Sequence, residues 1–129
     1  VLAVLRGDRG AALPEFVLVA ALLTVVTLSV LQLGLALHVR NTVVDAAAEG
    51  ARYAALAGAT LDDGRERTRA LITAALGPGY ASTVSAEYTQ HLDRPATVVT
   101  VTAPLPLLGL IGLDEGLEVR GHAAVEDVE

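Results

Sequence analysis

One carboxylate stands where carboxylates are costly. Glu15 lies at the mouth of a stretch, Phe16 to Leu37, of 22 residues without a formal charge. Ionisable groups at the edge of such a run usually have a partner. Were the chain cut after Gly10, Ala11 would become the amino terminus and Glu15 its fifth residue. A neighbouring copy would then offer its terminal ammonium as counter-ion. Neutralisation inside a low-dielectric bundle would set the stagger of adjacent helices. The plainer reading of Glu15 is a polar boundary residue of an ordinary signal anchor. Elsewhere the chemistry-bearing residues are scattered. His38, His91 and His122 form no i,i+4 pair, Asp62-Asp63-Gly64 lacks the alternating acids of a calcium loop, and Ser82 and Ser85 lie in no nucleophile elbow. Gly77-Pro78-Gly79 reads as a turn, not a phosphate cradle. No catalytic residue, metal ligand or cofactor-binding residue is expected, and an enzyme is disfavoured.

Composition narrows the classes further. The 129 residues hold no Cys and no Trp, 53% apolar and 19% charged residues, and a net charge of −6. Mean hydropathy is +0.53. Without cysteine there is no disulfide framework and no thiolate zinc site. The negative balance disfavours direct nucleic-acid binding. An aromatic content of 3% removes base-stacking platforms and most aromatic-lined pockets for a small-molecule substrate. All the basic residues are Arg.

These residues must be held by a membrane-sized helix. A helix of 22 residues spans about 33 Å, close to a bilayer's hydrocarbon thickness of about 30 Å. Arg6 and Arg9 precede the run, which favours an N-terminus kept in the cytoplasm and a single pass with the C-terminal part outside. The expected organisation is a leader at 1–10, a transmembrane or filament-core segment at 11–37 and an extracytoplasmic head at 38–129. One long helix is predicted over 11–57. Its first half is apolar all round. In its second half Val39, Val43, Ala46, Gly50, Tyr53 and Ala57 recur at spacings of three and four, giving a buried stripe of mostly small residues. Gly50 costs about 1 kcal/mol relative to Ala in a helix interior, which close packing of another element would offset.

Gly58 is placed to end that helix, and Thr60 or Asp62 to cap a second one from about Asp63 to Leu76, with Leu71, Ile72, Ala75 and Leu76 as its apolar positions. Thereafter the period is two. Val84, Ala86 and Tyr88 alternate with polar neighbours, Asp93-Arg94-Pro95 reads as a turn, Thr97–Thr102 is a β-branched strand, and Leu117, Val119, Gly121 and Ala123 mark a third. The segment from Pro104 to Leu113, with two Pro and two Gly, is read as an irregular apolar connection. Its part from Leu105 either forms an exposed patch or closes over the core. The last four residues are expected to fray. The fold class is α+β: a long N-terminal helix, a short second helix and a small antiparallel sheet of about three strands.

Gly10, Glu15 and Phe16, followed by some twenty apolar residues, resemble the processing site of type IV prepilins. The likeness extends from Gly10 to Arg52, which is similar to the TadE-like family of minor pilins in tight-adherence (Tad) pilus systems. That family's pattern opens on G-x-A-x-V-E-F and closes on A-x-E-G-A-R. Here the opening is Gly10-Ala11-Ala12-Leu13-Pro14-Glu15-Phe16, and Ala48-Glu49-Gly50-Ala51-Arg52 matches the closing signature directly. Gln32-Leu33-Gly34 stands where the family often has Glu-x-Gly. Pro14 departs from the usual apolar residue before Glu, and in a first helical turn a proline is tolerated. Beyond Arg52 the likeness is loose.

The resemblance implies a structural protein: a membrane-anchored pseudopilin processed by a dedicated prepilin peptidase. Its implied partners are the membrane, other pilin and pseudopilin subunits and the pilus assembly platform, in adhesion, secretion or DNA uptake. Processing would involve Gly10, Ala11, Glu15 and Phe16. Gln32, Gly34, Glu49, Gly50 and Arg52 are the candidate helix-packing residues. Glu49 and Arg52 can also form an exposed ion pair worth about 0.2–0.5 kcal/mol. The competing reading is an uncleaved, signal-anchored binding module of an envelope complex.

Overall fold

The computed structural model describes residues 2–81, 83–105 and 113–125, with side chains at 10–81, 83–104 and 116–125. Ser82, most of the apolar connection and the acidic end of the chain lie outside the described residues. In chain order the elements are α1 (Leu2–Ala55), α2 (Leu61–Leu76), a short 3-10 turn (Pro78–Tyr80), β1 (Thr83–His91), β2 (Arg94–Leu105) and β3 (Leu113–Ala124). The architecture is α+β.

By its contacts the chain divides into 1–34 and 35–129. The first unit is helical, and α1 begins at Leu2, not at residue 11 as the sequence predicts. Ala, Leu and Arg before Gly10 are good helix formers, no proline stands there, and the helix carries Gly7 without interruption. Pro14 therefore lies in the helix interior and not in its first turn.

The second unit holds the core. α1 ends at Ala55, two residues short of the expected Ala57, and Gly58 takes φ +83° in the connection. Thr60 caps α2 by a reciprocal pair of bonds. The Asp63 N–H donates to Thr60 Oγ1 at 3.2 Å, and the Thr60 N–H donates to Asp63 Oδ2 at 2.8 Å. Two otherwise orphan N–H groups are thereby satisfied, and Asp62 and Asp63 complement the positive end of the helix dipole. Gly77, at φ +97°, lets the chain turn out of α2.

The sheet runs β1-β2-β3, antiparallel throughout. Three rungs cross its inner face in register: Val84–Val101–Val119, Ala86–Val99–Gly121 and Tyr88–Thr97–Ala123. The middle rung is the smallest, and its Gly121 meets the backbone of α1. Val39, Val43, Ala46, Ala47 and Ala51 of α1, with Ile72 of α2, close the core against Val84, Val99, Val101, Leu117 and Val119.

Several expected positions move. Tyr53 and Ala57 are exposed, while Ala47, Ala51 and Ala54 are buried. Two elements pack on α1 at once, so its covered face is wider than a single stripe and is centred away from Tyr53. Tyr88 is also exposed, at the rim of a groove with Thr60, Leu61 and Arg65. Ala75 of α2 is exposed, and Gly64 and Thr68 are buried in its place. The hairpin turns at Leu92 and Asp93, both at positive φ, so Arg94 and Pro95 belong to β2. A two-residue loop of that type matches the twist of the strands it joins. At its far end β2 includes Pro104 and Leu105, where an irregular connection is expected. A register shift between Ala103 and Leu105 absorbs the proline.

Candidate functional site

The apolar half of α1 is bare. From Gly10 to Leu31 every residue is exposed, including Phe16 at 71% and Leu18 at 70%. The described part of the helix, from Gly10, reaches a mean hydropathy of 2.5 in a window none of which is buried. It is long and apolar enough to cross a membrane. A helix apolar on every face finds no home in water and is stable in lipid or among other helices. Its polar residues are partly self-satisfied. Thr24 Oγ1 donates to the Ala20 carbonyl at 2.8 Å and Ser29 Oγ to the Val25 carbonyl at 2.7 Å. Such bonds inside one helix lower the cost of a hydroxyl in hydrocarbon.

The sequence-selected residues fall into two groups. Gly10, Ala11, Glu15 and Phe16 are all exposed at the N-terminal side of the apolar run. Around Gly10 and Gly34 nothing lies within 4 Å of where a Cβ would stand, and Gln32 is half-buried. Glu49, Gly50 and Arg52 lie in the folded unit. Gly50 faces inward, packed on α2. Glu49 and Arg52 face outward, paired at 3.5 Å and lining a groove of about 450 Å³ with Thr42, Asp45 and Leu71. One turn of helix thus carries an inward contact and an outward charge pair.

Gly50 sits at the crossing of α1 and α2. A Cβ there would stand 1.8 Å from Thr68 Oγ1 and 2.8 Å from the Gly64 carbonyl oxygen. From the other side, a Cβ on Gly64 would stand 2.5 Å from Ala54 Cβ and 2.8 Å from the Gly50 carbonyl oxygen. The two glycines let the helix backbones touch. Thr68 uses that proximity: its hydroxyl lies 2.9 Å from the Gly64 carbonyl and 3.4 Å from the Ala46 carbonyl on α1. On the sheet side, Thr97 Oγ1 donates to the Ala51 carbonyl at 2.7 Å. Both threonines are fully buried. Gly121 of β3 meets the α1 backbone at Ala47 and Ala48, its would-be Cβ 2.5 Å from the Ala47 carbonyl carbon and the Ala48 nitrogen.

The reading from sequence alone missed Gly64, Thr68 and Thr97. The first two have a signal, since Gly64, Thr68 and Ile72 recur every four residues along one face of α2. Thr97 has none, being one threonine in a β-branched run. Of the three histidines, the fold brings two together. The rings of His91 and His122 stack with centroids 4.9 Å apart, while His38 is exposed on α1. Among the described residues no group of three or more His, Cys, Asp or Glu gathers to hold a metal.

Residues 10–52 match the family model of TadE-like protein. The matched span runs from the bare helix through the Gly50 crossing and its charge pair, and it covers 43 of the 129 residues. The chain therefore carries a TadE-like domain, which supports its being a TadE-like protein involved in the Tad pilus system. No curated protein and no solved structure matches the chain.

Proposed function

We propose that this chain is a membrane-anchored minor pseudopilin that takes part in assembling a Tad-type pilus. The observation that carries the reading is the fully exposed apolar helix, joined within one matched span to a tightly packed signature. In this reading a prepilin peptidase removes the residues up to Gly10, and Ala11 becomes the mature N-terminus. Residues 11–37 hold the subunit in the membrane and then pack laterally among the helices of other pilin subunits. The head, 38–129, is displayed outside the cell. Glu15 pairs with the terminal ammonium of a neighbouring subunit and sets the stagger between them. The protein acts by packing and not by catalysis, and it needs no cofactor.

N-terminal sequencing of membrane-extracted protein, from cells with and without the peptidase, tests the reading. The expected result is a chain beginning at Ala11 only where the peptidase is present. An intact leader in both samples overturns the processed form and leaves an uncleaved, signal-anchored module. For such a module Gly10→Ala and Glu15→Ala would leave localisation and partner binding unchanged.

A further inference from the structure

Pro14 stands four residues after Gly10 in the interior of α1. In an α-helix the carbonyl of residue i accepts the N–H of residue i+4. Pro14 has no N–H, so the helix cannot supply the Gly10 carbonyl with its regular donor, and the pyrrolidine ring crowds that same oxygen. The ring also disfavours helical geometry at Leu13. Gly10 adds a residue of low helix propensity, exposed and with open space around its Cα. The helix is thus weakened around the peptide bond between Gly10 and Ala11.

We propose that Pro14 is a positioning residue for the peptidase: it weakens the otherwise continuous helix at the bond to be cut. The inference rests on the proposed cleavage after Gly10. In that hydrolysis water adds its oxygen to the Gly10 carbonyl carbon and the bond to the Ala11 nitrogen breaks. The products are the Gly10 carboxylate and the Ala11 ammonium. A peptidase must draw the peptide out of its helix to reach the carbonyl carbon, and here one of the bonds that would hold it there is missing in advance.

The geometry gives the step a direction. After the cut the helix starts at Ala11, and Pro14 becomes its fourth residue. The first four N–H groups of any helix lack an intrahelical acceptor, so a proline there sacrifices no hydrogen bond. The defect exists in the precursor and disappears in the product. The lost hydrogen bond and the crowded Gly10 carbonyl therefore burden only the uncut chain.

Pulse-labelling of the full-length chain in membranes containing the peptidase tests this, with precursor and mature forms separated by mass. Pro14→Ala restores the missing donor and a strong helix former, and is expected to slow processing about tenfold, less than the full penalty of an interior proline would allow. Pro14→Gly restores the donor in a weak helix former, and is expected to be cut faster than Pro14→Ala. In every variant the mature chain begins at Ala11. Pro14→Ala processed at the parent rate overturns the inference while leaving the cleavage reading intact. Pro14→Gly cut as slowly as Pro14→Ala, or more slowly, also overturns it, because the peptidase would then be reading the proline ring itself. A parent chain never cut in the presence of the peptidase overturns both.

Discussion

Gly50 of α1 and Thr68 of α2 occupy one space that only a hydrogen and a hydroxyl can share: a Cβ on Gly50 would stand 1.8 Å from Thr68 Oγ1. This crossing gives the glycine of the Glu-Gly-Ala-Arg signature a physical task inside the folded unit. Gly50→Ala should destabilise the head by about 1–3 kcal/mol, the usual cost of forcing atoms into a filled site, although alanine is the better helix former. Thr68→Ala in the same chain removes the offending oxygen. The double variant should recover part of the loss, since the Gly64 carbonyl oxygen remains only 2.8 Å away. Chemical denaturation of the detergent-extracted chain reads both, and strictly additive losses would refute the contact.

Gly121→Ala should be worse. The added methyl would meet α1 backbone at Ala47 and Ala48, 2.5 Å away, and a backbone cannot rotate aside as a side chain can. A loss of about 3 kcal/mol or more is expected, at the upper end of overpacking costs. The measurement is the denaturation midpoint, or the yield of folded protein if the variant fails to accumulate.

Thr97→Val tests the tie between sheet and helix. The substitution keeps the shape and deletes the donor that lies 2.7 Å from the Ala51 carbonyl. That carbonyl keeps its own helical donor, so no acceptor is left bare. The expected cost is about 1 kcal/mol, that of a single net hydrogen bond. A loss several times larger in thermal unfolding would mean that the hydroxyl also sets the seating of the sheet.

Leu92→Asn should stabilise the hairpin. Leu92 holds φ +52° beside Asp93 at φ +61°, and its side chain is 85% exposed, so the core loses nothing. Asparagine tolerates the left-handed conformation that leucine resists, and a gain of about 0.5–1 kcal/mol is expected. A raised melting temperature with an unchanged circular dichroism spectrum is the expected observation.

Arg52→Ala separates folding from assembly. Arg52 pairs with Glu49 at 3.5 Å, but its side chain is 71% exposed, so stability should change by less than about 0.5 kcal/mol. If the pair faces a neighbouring pilus component, surface pili fall while the melting temperature holds. Wild-type pili on immunoblots of sheared cells would confine the pair to the subunit's own solvated surface.

What could be read from residue order alone was whatever depends on near neighbours. The unbroken apolar run, Thr60 as one of two candidate caps, the β-branched run of β2, the alternation in β3 and the Gly10–Arg52 likeness each follow from local period or spacing. The α+β class followed from these. Where the turn lies was misplaced toward Arg94 and Pro95, because proline is as compatible with a strand's first residues as with a turn. Tyr53 and Tyr88 were drawn inward by period, and the fold leaves both outside. Only the tertiary structure decided which small residues are indispensable. Gly64 and Gly121 look like any other glycines until α2 and β3 pack on α1, and Gly50, marked by its place in a helix interior, acquires its particular neighbours only there. Likewise Thr68 and Thr97 are ordinary threonines until α1 carbonyls come within reach. Such contacts join residues far apart in the chain, and their closeness is set by the fit of three elements at once, which no local pattern encodes.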